Sequence, residues 1–173
     1  MTESSPVGIE NSFTKRLEQR GVFVRRGFDS TIANALYEGA KDPVVRQFTH
    51  DATRFSTPDS VETWAEDPEK RPVIYSLADQ AILGVIWFSH TESEHASAHD
   101  SFAIRMYEGG RGRGLASDFL EAAHVDFHAQ GGESTWLRVR RENTTAQQLY
   151  SRHGYQITHQ TKTFQTMQRK GAL

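Results

Sequence analysis

Apolar and polar positions alternate with two periods along the chain, and the periods mark out its elements. Val22-Phe-Val-Arg is a short β-rich run. Asp29 or Ser30 then caps a helix whose Ile32, Ala33, Leu36 and Ala40 recur at helical spacing. Thr57-Pro58-Asp59-Ser60 opens a second helix with proline just inside the cap, and Val61 and Trp64 supply its inner face. Two strands follow, Val73-Ile-Tyr-Ser-Leu and Ala81-Ile-Leu-Gly-Val-Ile-Trp-Phe, and the Ala78-Asp79-Gln80 turn between them predicts an antiparallel hairpin. Beyond a polar, loop-like stretch, Phe102-Ala-Ile-Arg-Met alternates as a strand. Leu115, Phe119, Ala123 and Phe127 recur every four residues on one face of a helix that ends near Gly131-Gly132. Thr135-Trp-Leu-Arg-Val is a strand, and Asn143 caps a short helix ended by Gly154. Tyr155-Gln-Ile-Thr-His and Thr163-Phe-Gln-Thr-Met alternate as the last two strands. Residues 1–21 lack a clear apolar period and read as an N-terminal arm or a short helix over Phe13-Thr-Lys-Arg-Leu-Glu-Gln-Arg. Without repeats or a linker, the pattern predicts a single mixed α/β domain over residues 22–173.

Composition narrows the class. A chain of 173 residues suits one well-buried domain and is short for two. No apolar run approaches the roughly 20 residues that cross a bilayer, so no membrane association is expected. The polar start, Met1-Thr-Glu-Ser-Ser-Pro-Val-Gly, does not read as a signal peptide, and the expected location is cytoplasmic. The absence of cysteine excludes disulfides, thiolate metal sites and a cysteine nucleophile. A formal net charge of −2 argues against a nucleic-acid partner. Yet Arg111, Arg113, Arg138, Arg140, Arg141 and Arg152 crowd one third of the chain, either as a solvated face or around a small polyanion. His90, His95 and His99 share no tight helical spacing, and no metal is expected there.

The glycine turn Met106-Tyr-Glu-Gly-Gly-Arg-Gly-Arg-Gly-Leu-Ala lies between a strand and a helix. Glycines let backbone amides point inward, and a helix N-terminus adds positive potential, so the turn can hold phosphate oxygens. Arg111 and Arg113 could add charged donors. The segment contains neither a G-x-x-x-x-G-K-[ST] P-loop nor the third glycine of a dinucleotide fingerprint. A plain loop stays open as the alternative.

Context sharpens the choice. Arg111-Gly-Arg-Gly114-Leu-Ala116 resembles the R/Q-x-x-G-x-G/A signature of the GNAT family of N-acetyltransferases. Leu137-Arg-Val-Arg-Arg-Glu-Asn143, followed by Ala146-Gln-Gln-Leu-Tyr150-Ser-Arg-His-Gly154-Tyr155, resembles that family's second signature. The two fall in family order, and the stretch from Asp42-Pro-Val-Val-Arg-Gln-Phe resembles the ribosomal-protein N-terminal acetyltransferase subgroup. The resemblance implies a twisted, mostly antiparallel seven-stranded sheet, split between its fourth strand at Phe102–Met106 and its fifth at Thr135–Val139, with helices on both faces. It implies acetyl-CoA as cosubstrate, with its pantetheine arm on the backbone of Ile104 and Met106. Its pyrophosphate would lie on the amides of Gly112, Arg113, Gly114, Leu115, Ala116 and Ser117. Asn143 would touch the arm, cap its helix, or do both.

The expected chemistry is acetyl transfer to a primary amine, a small molecule or a peptide N-terminus. Such an amine has a pKa near ~10.4 and must lose a proton before attack. The thiolate leaving group needs an acid, and a tyrosine with a pKa near ~10 suits that role. Tyr150 stands where the family places this tyrosine. Without cysteine, direct transfer in a ternary complex is the expected route. Asp100 is the first candidate for the base and His99 the second. The subgroup's fifth strand reads Leu-Glu-Val, whereas this chain has Arg138 there; an arginine cannot act as a base, and Arg138 is expected either to bind a carboxylate or phosphate on the acceptor or to pair with a nearby acid. A non-catalytic acyl-CoA-sensing or interaction domain on the same fold is the rival reading, and a homodimer is left open.

Overall fold

The computed structural model describes residues 5–171 of the chain, so Met1 to Ser4 of the N-terminal segment lie outside the described residues. Its centre is one eight-stranded sheet in the order β1-β2-β3-β4-β5-β6-β8-β7. These are Val7–Gly8, Phe23–Arg26, Val73–Ala78, Ile82–His90, Asp100–Met106, Thr135–Arg140, Gln156–Gln160 (β7) and Phe164–Arg169 (β8). Every neighbouring pair is antiparallel except β5 and β6. The expected count of seven is corrected to eight, because the short β1 adds to the edge of β2 through Val7↔Arg26 and Gly8↔Arg25. Two residues with no apolar alternation leave no strand signal in the sequence.

The helices form where their caps dictate. Asp29 Oδ1 accepts the Ile32 amide at 2.9 Å and starts α2 (Ser30–Gly39). Thr57 and Ser60 form a capping box around Pro58 at the start of α5 (Pro58–Ala65). Between them lie α3 (Pro43–Phe48) and α4 (Asp51–Arg54), two short helices that periodicity over so few residues could not define. The N-terminal segment carries α1 (Ser12–Glu18), capped by Asn11. Leu17 of α1 is fully buried, and Asn11 Nδ2 donates to the Ala122 carbonyl of α6 (Ala116–Ala129), so this segment packs into the domain.

Alternation along the central strands divides the core in two. Phe102 and Ile104 of β5 and Leu137 and Val139 of β6 join the α6 side with Phe119 and Phe127. Ala103 of β5 and Trp87 of β4 join Ile32, Leu36 and Val61 on the α2–α5 side. β4 is covered on both faces, which explains its nearly unbroken apolar run.

Candidate active site

The parallel ladder between β5 and β6 holds only at Asp100↔Thr135 and Ser101↔Trp136. Past those pairs the ladder stops, so the β5 edge from Phe102 to Met106 faces an opening instead of a strand. A cavity of about 980 Å³ occupies this opening. Ile104 and Met106 line it from β5. Asn143, Tyr150 and Arg138 reach it from the other side.

The glycine turn forms the mouth of the cavity. Gly112 and Gly114 take φ of 72° and 68°, the left-handed region that L side chains rarely adopt. Asp29, Thr57 and Asn143 cap α2, α5 and α7 (Thr144–Arg152) through their side chains, whereas α6, the longest helix, has no side-chain cap. Its first helical bond runs from the Phe119 amide to the Leu115 carbonyl, so the amides before Phe119 in that turn lack helical partners. Gly112, Gly114, Leu115, Ala116 and Ser117 all line the cavity. An uncapped helix N-terminus opening into a cavity can hold an anion.

The arginines of the turn do different work from that expected. Arg111 donates to the Met106 carbonyl at 3.1 Å and pairs with Asp42 at 2.9 Å, although it lines the cavity. Arg113 lies outside the cavity lining; it donates to the Gly109 carbonyl at 3.1 Å and approaches Asp79 at 3.7 Å. Arg20 donates to the carbonyls of Arg113 and Gly114. Three guanidinium groups thus hold carbonyls of the turn and its approach. The Ser117 hydroxyl is likewise engaged, 3.0 Å from His153 Nε2, while His153 Nδ1 meets Glu121 at 2.7 Å. The backbone of Ser117 remains for a ligand.

Tyr150 sits on α7, whose first turn is fixed by Asn143 Oδ1 accepting the Ala146 amide at 3.2 Å. Its ring meets those of Phe102 and Tyr155 edge-on. Burial pushes the phenol up to about 12, against the opposing positive charge of Arg105, so it stays protonated at neutral pH.

Asp100 is not brought to this site. Its carboxylate lies 3.2 Å from His90 Nδ1 and lines a separate cavity of about 260 Å³ with Phe88 and Phe127. It is in phase with Phe102 and Ile104, which face α6, and it lies where β5 and β6 are still joined. His99 is exposed and pairs with Glu92 at 2.9 Å, also away from the cavity. His95 stacks on His159, and among the described residues no group of three His, Cys, Asp or Glu is arranged to hold a metal.

One cluster escaped the sequence reading. Asp51 of α4, 1% exposed, accepts Arg105 Nε at 2.6 Å and Nη2 at 2.9 Å, and Arg54 Nη1 at 2.8 Å. Burial alone would raise the Asp51 carboxyl, but the two guanidinium charges outweigh it and hold the group below the usual carboxylate range. Arg105 also lies over the Trp87 ring at 4.7 Å. The available signal was a charge at position 105, on a strand whose two faces are both covered.

A sheet opened between two parallel central strands, with a glycine turn and an uncapped helix at the mouth, is the GNAT architecture. A family model described as acetyltransferase (GNAT) domain matches residues 25–156, and the chain belongs to that family. The uncharacterized N-acetyltransferase YycN of Bacillus subtilis (strain 168) is 31% identical over 94 residues. That match spans 54% of this chain and 60% of YycN, so the chain matches about three-fifths of its curated relative. Spermidine N-acetyltransferase from Vibrio cholerae, solved with CoA and spermine, superposes with a TM-score of 0.67 at 14% identity, covering 87% of this chain and 96% of its own. RimL, a ribosomal L7/L12 alpha-N-protein acetyltransferase, superposes at 0.68 and 14% identity, covering 98% and 97%. No helix among the described residues is long and apolar enough to cross a membrane.

Proposed function

We propose that this chain transfers the acetyl group of acetyl-CoA directly to a primary amine, with Tyr150 as the acid. The observation that carries the reading is one cavity joining the open β5 edge, the uncapped start of α6 and the Tyr150 side chain. The backbone from Gly112 to Ser117 would hold the pyrophosphate. The unpaired edge at Ile104 and Met106 would take the pantetheine arm, and Asn143 would lie beside it. Gly112 supports the fit, since it lines the cavity and, with a φ of 72°, leaves bare backbone there that an L side chain would rarely allow. When bound, acetyl-CoA supplies the thioester.

The residues then act on protons and position. The acceptor amine enters from the α3–α4 side, past Arg138. Its ammonium nitrogen would lose one proton to solvent before it attacks, and a second to solvent once the new carbon–nitrogen bond has formed, leaving the neutral amide. As the carbon–sulfur bond breaks, the Tyr150 hydroxyl gives its proton to the departing sulfur and regains one from solvent. The absence of cysteine supports this route over an acyl-enzyme. Asp100 and His99, outside the cavity, are not assigned the base's role. CoA and spermine in one structural neighbour and the protein N-terminus named for another support an amine acceptor without choosing between them.

Replacing the phenol hydroxyl tests the assignment. In Tyr150→Phe, kcat should fall by about 10²–10⁴-fold, the usual contribution of a positioned proton donor, with acetyl-CoA affinity little changed. Thiol release from acetyl-CoA is the readout, and the chain adds no thiol of its own. An unchanged kcat would remove Tyr150 from the mechanism.

A further inference from the structure

The acceptor end of the cavity has a one-sided charge. Leu137 and Val139 point to the α6 core, so Arg138 projects to the opposite face, the face of Arg105 and Trp87. Arg138 is exposed, with its guanidinium 3.9 Å from the Phe164 ring centroid, and no carboxylate pairs with it among the described residues. Across the opening, Arg54 and Arg105 share the single carboxylate of Asp51, leaving that cluster one positive charge in surplus. Arg105 is spent: three of its nitrogens bond Asp51 or the Ile104 carbonyl. Arg54 gives only Nη1 to Asp51, is 37% exposed, and lines the cavity. Lys70 adds a further cation to the wall, and Trp64 and Trp87, packed edge to face, supply an apolar surface. Among the described residues, neither Asp nor Glu lines the cavity.

Resting on the transfer reading, we propose that the acceptor is an amine that also carries an anion, a carboxylate or phosphoryl group, on an apolar or aromatic body, and that Arg54 and Arg138 bind that anion. Guanidinium groups with free donors match such oxyanions in geometry and charge. An anion between them would neutralise the surplus, whereas the extra ammonium groups of a polyamine would lie against Arg54, Arg138 and Lys70 with no counter-charge. The phosphates of acetyl-CoA are not the natural partners of these two arginines. The uncapped α6 start serves them, and α6 packs on the other face of the sheet.

The test is titration calorimetry on the protein saturated with CoA. Ligands are offered in matched pairs that differ only in the anion: amino acids against their decarboxylated amines, and aminoalkylphosphonates against aminoalkanes, on aliphatic and aromatic bodies. Spermidine and short peptides with a free N-terminus and an acidic or neutral second residue complete the panel. The anionic member of at least one pair should bind about tenfold or more tightly, as a charge-assisted hydrogen bond provides. Arg138→Gln and Arg54→Gln should each erase that preference while acetyl-CoA affinity stays within about twofold. A preference found in the amino acid or phosphonate pairs assigns the anion to a small molecule; one confined to acidic peptides assigns it to a protein N-terminus. No preference anywhere in the panel, tighter binding of spermidine, or equal loss of acetyl-CoA affinity in the variants overturns the proposal. Because the readout is binding, absent thiol release would count against transfer and leave anion recognition standing.

Discussion

The most deeply buried polar cluster on each face of the split sheet is built in the opposite way from the other. On the α6 face, fully buried His124 donates through Nδ1 to the Leu120 carbonyl at 2.9 Å, because that carbonyl can only accept. Its Nε2 is then left to accept from the Tyr155 hydroxyl at 2.9 Å, which Thr135 meets at 2.7 Å. Burial above all drives the His124 pKa down to about 3, so the network is neutral. The α2–α5 face instead buries an ionised carboxylate between two guanidinium groups. A neutral network whose donors and acceptors close on one another belongs to a core sealed on itself. A charged cluster with one arginine partly exposed and still holding free donors belongs to the wall of an open cavity.

The largest expected effect comes from breaking the charged side. Asp51→Ala leaves Arg54 and Arg105 facing each other without a counter-charge, and should cost about 3–5 kcal/mol in urea unfolding. A loss below about 1 kcal/mol would mean that water already screens the arginines, and the contrast between the faces would dissolve. The neutral side is sharpened by acid. His124 has its folded pKa at about 3, below the 6.5 of an exposed histidine, so the unfolded chain binds the proton first. Stability from this group is complete above pH 6.5 and declines as pH falls toward 3, by about 1.4 kcal/mol between pH 8 and 5.5. That window lies above the carboxylates, since Asp42, Asp51 and Glu121 are all held below their usual range. His124→Leu should flatten the slope there, whatever its own cost; an unchanged slope would move the titration to another group.

The same contrast governs what could be read from the sequence. The α6 side is built from local rules. Phe119, Ala123 and Phe127 repeat at helical spacing, Asn143 and Gly154 bracket α7, and the glycine turn announces itself between strand and helix. The glycine turn, the start of α6 and the helix that carries Tyr150 to the cavity were therefore legible residue by residue. The acceptor face joins Asp51, Arg105, Trp87 and Arg138 from four segments, through contacts that no spacing encodes. Asp100 lies outside the cavity for a related reason. Its phase with Phe102 is local, but the point at which the ladder between β5 and β6 ends, beyond Asp100 and Ser101, is set by non-local pairing. Arg111 and Arg113 looked like phosphate donors because charge is visible in a sequence, whereas a carbonyl that needs a donor is not.

The smallest effect tests the backbone basis of the cradle. Gly112 has a φ of 72°, and a Cβ there would meet nothing within 4 Å, so Gly112→Ala suffers from conformation alone. It should lose about 1 kcal/mol of stability, the scale of forcing an L residue left-handed. Asparagine enters that region more readily than alanine, so Gly112→Asn should recover most of the loss. Acetyl-CoA affinity should not follow stability. On the proposed reading both variants place a side chain on backbone that would lie bare against a phosphate, so both should bind more weakly than the parent while Gly112→Ala alone is markedly less stable. If affinity returns with stability in Gly112→Asn, the glycine serves the turn and not the ligand, and the cradle side would depend on shape no more than the acceptor side does.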